Sequence, residues 1–92
     1  MFELTSVPID SGALERRIVR PDAGALVVFT GQVRNHHRGL PVTRLEYEAY
    51  DEFTLAEGRA LVEEAEQAYP GAKVLCVHRT GLLEIGETAV WI

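Results

Sequence analysis

The sequence predicts an α+β fold, with helices packed on a mainly antiparallel sheet in the order β-α-β-β-α-β-β. Three observations carry that expectation. Short apolar runs, several with period-2 alternation, are separated by Gly and Pro at single points. One long segment, residues 52–69, has helical periodicity instead. The length of 92 residues, with 47% hydrophobic and 25% charged, suits one domain spanning 1–92 and leaves too little chain for two.

Residues 2–7 read as a short strand ended by Pro8. Asp10 or Ser11 caps a helix that runs to about Val19, and Pro21 stops it. Ala25 to Val33 is strongly apolar. Val27, Phe29 and Val33 point one way and Leu26 and Val28 the other, which predicts a central strand buried on both faces. Asn35 to Pro41 is a polar loop. Thr43 to Tyr50 alternates, with Leu45, Tyr47 and Ala49 opposite Arg44, Glu46 and Glu48, as a strand with one wet face does.

The main helix is expected over residues 52–69, and Thr54 and Glu57 have capping-box spacing. Leu55, Leu61, Val62, Ala65, Ala68 and Tyr69 share its apolar arc, and Pro70-Gly71 ends it. Lys73 to Thr80 is a further strand, Leu82 to Ile85 continues extended, and Gly86 turns the chain into a last strand from Thr88. That strand reaches Val90-Trp91-Ile92, an apolar edge expected to be covered, in a homodimer formed partly through the sheet.

Composition excludes some functions. The net charge of −5 disfavours non-specific nucleic-acid binding, which needs a basic face. No apolar run is long enough to cross a bilayer. A single cysteine, Cys76, permits no internal disulfide and fits a cytoplasmic location. Flanked by Leu75 and Val77, it reads as a buried, inert thiol.

The chemistry concentrates in Gly31-Gln32-Val33-Arg34-Asn35-His36-His37-Arg38-Gly39, which leaves a strand and enters a loop. Two Arg and two His gather there in an otherwise acidic chain, and Arg44 comes soon after. A guanidinium fork suits phosphate or carboxylate, so the segment is an anion-binding loop on one reading and a solvated charged loop on the other. His36 and His37 lack a second cluster of ligands, and no metal site is expected. Lys73 reads as a solvated strand-start residue, Glu46 and Glu48 as a wet face, and Arg79 with Glu84 as an ion pair.

Four blocks in order, ALVVFTGQVR at 25–34, LEYEAY at 45–50, VHRTGL at 77–82 and IGE at 85–87, resemble the large, catalytic subunit of molybdopterin synthase, the MoaE family. The resemblance implies an α/β hammerhead fold and a homodimer. It further implies a heterotetramer with a ubiquitin-like small subunit whose Gly-Gly tail carries a thiocarboxylate. Two sulfurs would pass in turn from that tail to cyclic pyranopterin monophosphate, forming the dithiolene of molybdopterin in molybdenum cofactor biosynthesis. No cofactor of the subunit itself is implied.

Substrate binding maps by position to Gln32, Val33 and above all Arg34, with His36, His37 and Arg38 as further candidates. The anion would be the pterin phosphate or the tail carboxylate. The family's remaining active-site residues, a second His-Arg pair and two lysines, lie downstream of the last strand. Neither His78-Arg79 nor Lys73 aligns with them. The expectation is therefore a C-terminally truncated family member with no assigned catalytic residue and no activity alone. The alternative is a non-catalytic ferredoxin-like α+β module that binds a small anion or a partner chain.

Overall fold

Backbone pairing in the computed structural model, which describes residues 1–47 and 51–92, joins four strands into a central sheet. The elements are β1 (Phe2–Thr5), α1 (Ser11–Ile18), β2 (Thr30–Gln32), β3 (His36–His37), β4 (Leu40–Pro41), β5 (Arg44–Tyr47), α2 (Asp51–Ala68), β6 (Cys76–Arg79), β7 (Gly81–Glu84) and β8 (Thr88–Trp91). The central sheet has the order β1-β6-β8-β2, and β3–β4 and β5–β7 form two small two-stranded sheets. Among these pairs only β1–β6 is parallel. The α+β class and the mainly antiparallel pairing agree with the sequence reading.

The ferredoxin-like arrangement does not. There one strand separates the two strands joined by the first helix. Here two strands, β6 and β8, lie between β1 and β2, and β1 is an edge.

Helix α1 forms because Asp10 caps it, its Oδ1 accepting the Ala13 N–H at 3.1 Å, and Val19 and Pro21 leave it extended. Its buried residue Leu14 packs with Leu75, Val77 and Trp91 on one face of the sheet. The Trp91 indole N–H donates to the Ser11 hydroxyl at 2.8 Å, which ties β8 to the start of this helix. Arg17 closes a two-point contact on Glu3, at 2.6 and 3.1 Å, and so ties α1 to β1.

Helix α2 covers the opposite face. Phe2 aligns with Cys76 across the parallel pair, away from Val77, and its ring lies against Gly58. Gly58 and Val62 are buried, with Leu55 and Ala65 half-buried. Leu61 and Tyr69, expected on the apolar arc, face out. The helix is already formed at Asp51, so Thr54 and Glu57 lie inside it and do not form its capping box.

Three strand boundaries also shift. The expected strand 73–80 is regular only over Cys76–Arg79, because the Val74 N–H donates to the Glu66 carboxylate at 3.0 Å in place of a strand neighbour. The strand expected over 43–50 is described as Arg44–Tyr47, and Glu48, Ala49 and Tyr50 lie outside the described residues. The segment 25–33 contributes only Thr30–Gln32, at the sheet edge. Phe29 continues the edge through paired backbone bonds with Ile92, at 2.7 and 2.9 Å. Val28 reaches the α1 core, while Val27 and Phe29 are 86% and 59% exposed. The expected central strand is thus an edge strand with one neighbour and an open flank, whereas Val90-Trp91, expected at an edge, lies inside the sheet: β8 pairs with both β6 and β2, and Trp91 is fully buried.

Two consequences are testable. Alanine is the better helix former by about 1 kcal/mol, yet a Cβ at Gly58 would overlap the Phe2 ring. Gly58→Ala is expected to destabilise the fold by about 1–3 kcal/mol net, and Phe2→Ala in the same chain to remove most of that penalty. Urea melts of the single and double variants measure both.

The Val74 N–H bond holds the Glu66 carboxyl below its ordinary range, and Arg17 does the same for Glu3. A depressed carboxyl contributes stability above its unfolded pKa and loses it as pH falls through its folded pKa. Melting temperature is therefore expected to drop on acidification below about pH 4.5, with a shallower drop in Glu66→Gln. Equal slopes would show that this carboxylate contributes nothing.

Candidate functional site

The loop that collects the basic residues grows from the end of β2. A register shift between Gly31 and Gln32 bends the strand there, and a Cβ at Gly31 would stand 2.8 Å from the Val90 side chain. Glycine lets the two strands approach at that point.

Val33 then anchors the chain. It is 4% exposed and packs with Leu83 and Ala89, with Tyr47 alongside. Its N–H donates to the Glu87 carbonyl at 3.0 Å, and its carbonyl accepts from the Gly86 N–H at 2.7 Å. Side chain and backbone are both engaged, so Val33 enters the site as its anchor and presents no free group.

Beyond Val33 the chain is exposed through Pro41. The sequence reading treats 35–41 as an irregular loop, but β3 and β4 close it into a hairpin, with His36 opposite Pro41 and His37 opposite Leu40. Arg38 and Gly39 both have positive φ, 52° and 78°, which is the requirement of a tight two-residue hairpin turn. The Val42 N–H closes the base by donating to the Asn35 carbonyl at 2.8 Å.

The hairpin brings Arg34 and His37 together. Arg34 Nη2 lies 3.0 Å from His37 Nδ1. A guanidinium only donates, so His37 Nδ1 is the acceptor and a neutral ring carries its proton on Nε2. His36 turns away, its Nδ1 at 3.0 Å from the Asn35 side-chain oxygen. Arg38 sits at the turn and Gln32 on the exposed side of β2. Among the described residues, neither Arg34 nor Arg38 is paired with a carboxylate. Arg44 stands apart on β5, opposite Glu84. The arrangement is an open cationic loop whose leading guanidinium is held by a neutral imidazole and remains available to an anion.

The other candidates fall elsewhere. Lys73 lines a concavity of about 660 Å³ with Arg20, Asp22, Leu26 and Val27, which none of the hairpin residues touches. His78 Nδ1 donates to the Arg79 carbonyl at 2.7 Å, and its ring meets Tyr47 edge-on at 5.0 Å, a packing role. Among the described residues no three His, Cys, Asp or Glu side chains converge as metal ligands. No described helix is long and apolar enough to cross a membrane.

Two features escape the sequence reading. Gly58, the seat of Phe2, carries no local signal. Arg79 does: it comes after Leu75 and Val77 at period 2, on the face that period assigns to the core. It faces Glu87, at 3.8 Å, and not the expected Glu84, because the tight turn after Glu84 brings the Glu87 side chain back over the strand end.

A family model described as MoaE protein matches residues 4–92. The molybdopterin synthase catalytic subunit of Bacillus subtilis (strain 168) is 37% identical, over 99% of this chain and 58% of that protein. That of Thermoplasma volcanium is 41% identical, over 98% of this chain and 66% of that protein. Among solved structures, molybdopterin synthase from Staphylococcus aureus superposes with a TM-score of 0.83 at 36% identity, covering 98% of this chain and 66% of that one. A MoaE protein from Burkholderia ambifaria gives 0.88 at 28% identity, covering 98% and 59%. The chain belongs to the MoaE family. It spans between 58% and 66% of the length of these relatives.

Cys76 is half-buried on β6, and desolvation pushes its thiol up. Little thiolate is present at neutral pH, as expected of an inert thiol. Iodoacetamide is expected to label Cys76 at least about tenfold more slowly in the folded chain than in urea, by mass spectrometry. Equal rates would make it a reactive group.

Proposed function

We propose that this chain supplies the substrate-anion contact of a molybdopterin synthase large subunit. In that role it acts with a thiocarboxylated, ubiquitin-like small subunit and cyclic pyranopterin monophosphate, in molybdenum cofactor biosynthesis. One observation carries the proposal: an exposed guanidinium, Arg34, free of carboxylates among the described residues, stands at a strand end fixed by two backbone bonds, within the residues matched by the family model. Arg38 and Gln32 flank it. His37 orients it, and His36 stiffens the base of the hairpin through Asn35.

The chemistry of sulfur transfer fits such a loop. Attack on a thiocarboxylate and opening of a cyclic phosphate both develop negative charge, which pre-placed cations stabilise without reorganising. A guanidinium recognises phosphate or carboxylate through two parallel donors. Residues 1–92 contain a single lysine, Lys73, on a different surface from Arg34, so no lysine of this segment serves beside it. We read 1–92 as the binding part of the site, without an assigned catalytic residue. The exposed Leu26, Val27 and Phe29 beside Ile92 on the sheet edge support the homodimer that the family resemblance implies.

A charged hydrogen bond of this kind is worth about 1.5–3 kcal/mol. Arg34→Ala is expected to weaken binding of cyclic pyranopterin monophosphate, or of the small subunit's tail, by about 10- to 100-fold in calorimetry. In a chain extended to the family's length, the same substitution is expected to lower molybdopterin formation, read anaerobically as the oxidised fluorescent product. Residues 1–92 alone are expected to form none. Unchanged binding and turnover in Arg34→Ala would remove Arg34 from the site.

A further inference from the structure

Arg79 is the one buried charged side chain among the described residues, at 4% exposure. Its donors are poorly used. Nη2 donates to the Ser6 carbonyl at 3.3 Å, while Nε and Nη1 have no hydrogen-bond partner. A guanidinium buried in this way is costly, and an apolar residue of similar volume would be cheaper for stability alone. Its presence points to a task other than packing.

The group it faces is the Glu87 carboxylate, 3.8 Å from Nη1. Glu87 organises the turn between β7 and β8. Its Oε2 accepts from the Glu84 N–H at 2.8 Å, and its own N–H donates to the Glu84 carbonyl at 3.2 Å. Gly86 takes the third place of that turn with φ of 86°, which favours glycine. The same turn holds Val33 from both sides, through the Glu87 carbonyl and the Gly86 N–H. Arg34 is the next residue. A continuous path of contacts therefore runs from the buried guanidinium to the exposed one.

We propose that Arg79 is a positioning residue for the anion site. Its charge holds the Glu87 carboxylate, the carboxylate sets the Glu84–Glu87 turn, and the turn fixes Val33 so that Arg34 meets an anionic ligand in one orientation. This rests on the reading of Arg34 as the anion contact. Glu87 is partly exposed, so removing its partner leaves a carboxylate that water can solvate. Arg79→Met, which keeps length and apolar bulk, is accordingly compatible with a folded chain.

The test uses the 92-residue chain with inorganic phosphate as the probe. Binding is read from the backbone N–H signals of Arg38 and Gly39 in the hairpin by NMR, which every variant retains, and amide exchange is read at Val33 and Gly86. Arg79→Met is expected to accelerate exchange at both amides and to weaken phosphate binding about tenfold, with the melting temperature little changed. Arg79→Lys, which restores the charge, is expected to recover part of both. Glu87→Gln is expected to resemble Arg79→Met. Adding Arg79→Met to Arg34→Ala is expected to cost no further affinity, because Arg79 acts through Arg34.

Wild-type exchange and affinity in Arg79→Met would overturn the proposal, as would additive losses in the double variant. If Arg79→Met does not fold, wild-type behaviour of Glu87→Gln overturns it equally. Arg34→Ala with undiminished binding would instead sink the reading of Arg34. The exchange at Val33 and Gly86 then still decides whether Arg79 fixes the strand end.

Discussion

The two backbone bonds between Val33 and the Gly86–Glu87 turn are the junction on which the candidate site depends. Strand β2 is short, lies at a sheet edge and ends in a bend, so pairing with β8 alone would leave its end free to fray. The turn catches it at the residue where regular pairing stops. Burial of the Val33 side chain against Leu83 and Ala89 adds an apolar lock to the same point. The exposed hairpin therefore stands on a rigid base. Binding loops work best in that arrangement, since little order then has to be gained when a ligand arrives.

The hairpin has its own internal order. Positive φ at Arg38 and Gly39 reverses the chain in two residues and returns His37 beside Arg34. A neutral imidazole is a suitable partner for a guanidinium with a binding role. It accepts one N–H and fixes the plane, but it does not neutralise the charge as a carboxylate would. The contrast with Arg17 is instructive. That guanidinium spends its fork on Glu3, joins α1 to β1 and has little left for a ligand. In an acidic chain the difference between a structural and a functional arginine lies in the partner, and sequence does not display partners.

The sequence reading succeeds where local chemistry decides the outcome. Asp10 as a cap, Gly86 as a turn and the presence of helix α2 are each set within a few residues, and each is found, though Leu61 and Tyr69 of its expected apolar arc face out. The Arg34 cluster is also legible, because four basic side chains in five residues stand out against a net charge of −5. The reading fails where the answer is set across the sheet. Thr54 with Glu57 has the right spacing for a cap, but the helix is already under way at Asp51. Gly58 is buried because Phe2, far away in sequence, lies over it. Arg79 joins Glu87 and not the nearer Glu84 because a turn, not a strand period, places the carboxylate.

The segment 25–29 shows the limit most sharply. Leu26, Val27, Val28 and Phe29 make an apolar run that reads as a strand buried on both faces. Only Val28 reaches the core of this chain, while Phe29 pairs by its backbone with Ile92 along an open edge. Hydrophobicity records that a surface needs cover; it does not record which polypeptide supplies it. A buried central strand and a strand at an interface leave the same sequence signature, because both lose water from both faces. The cationic hairpin and the apolar edge lie at the two ends of one strand. Leu26, Val27 and Phe29 lie open along its near end, and its far end, past the anchor at Val33, carries the exposed hairpin. Between the edge at Phe29 and Arg34 the backbone is held by pairing with β8 and by the Gly86–Glu87 turn.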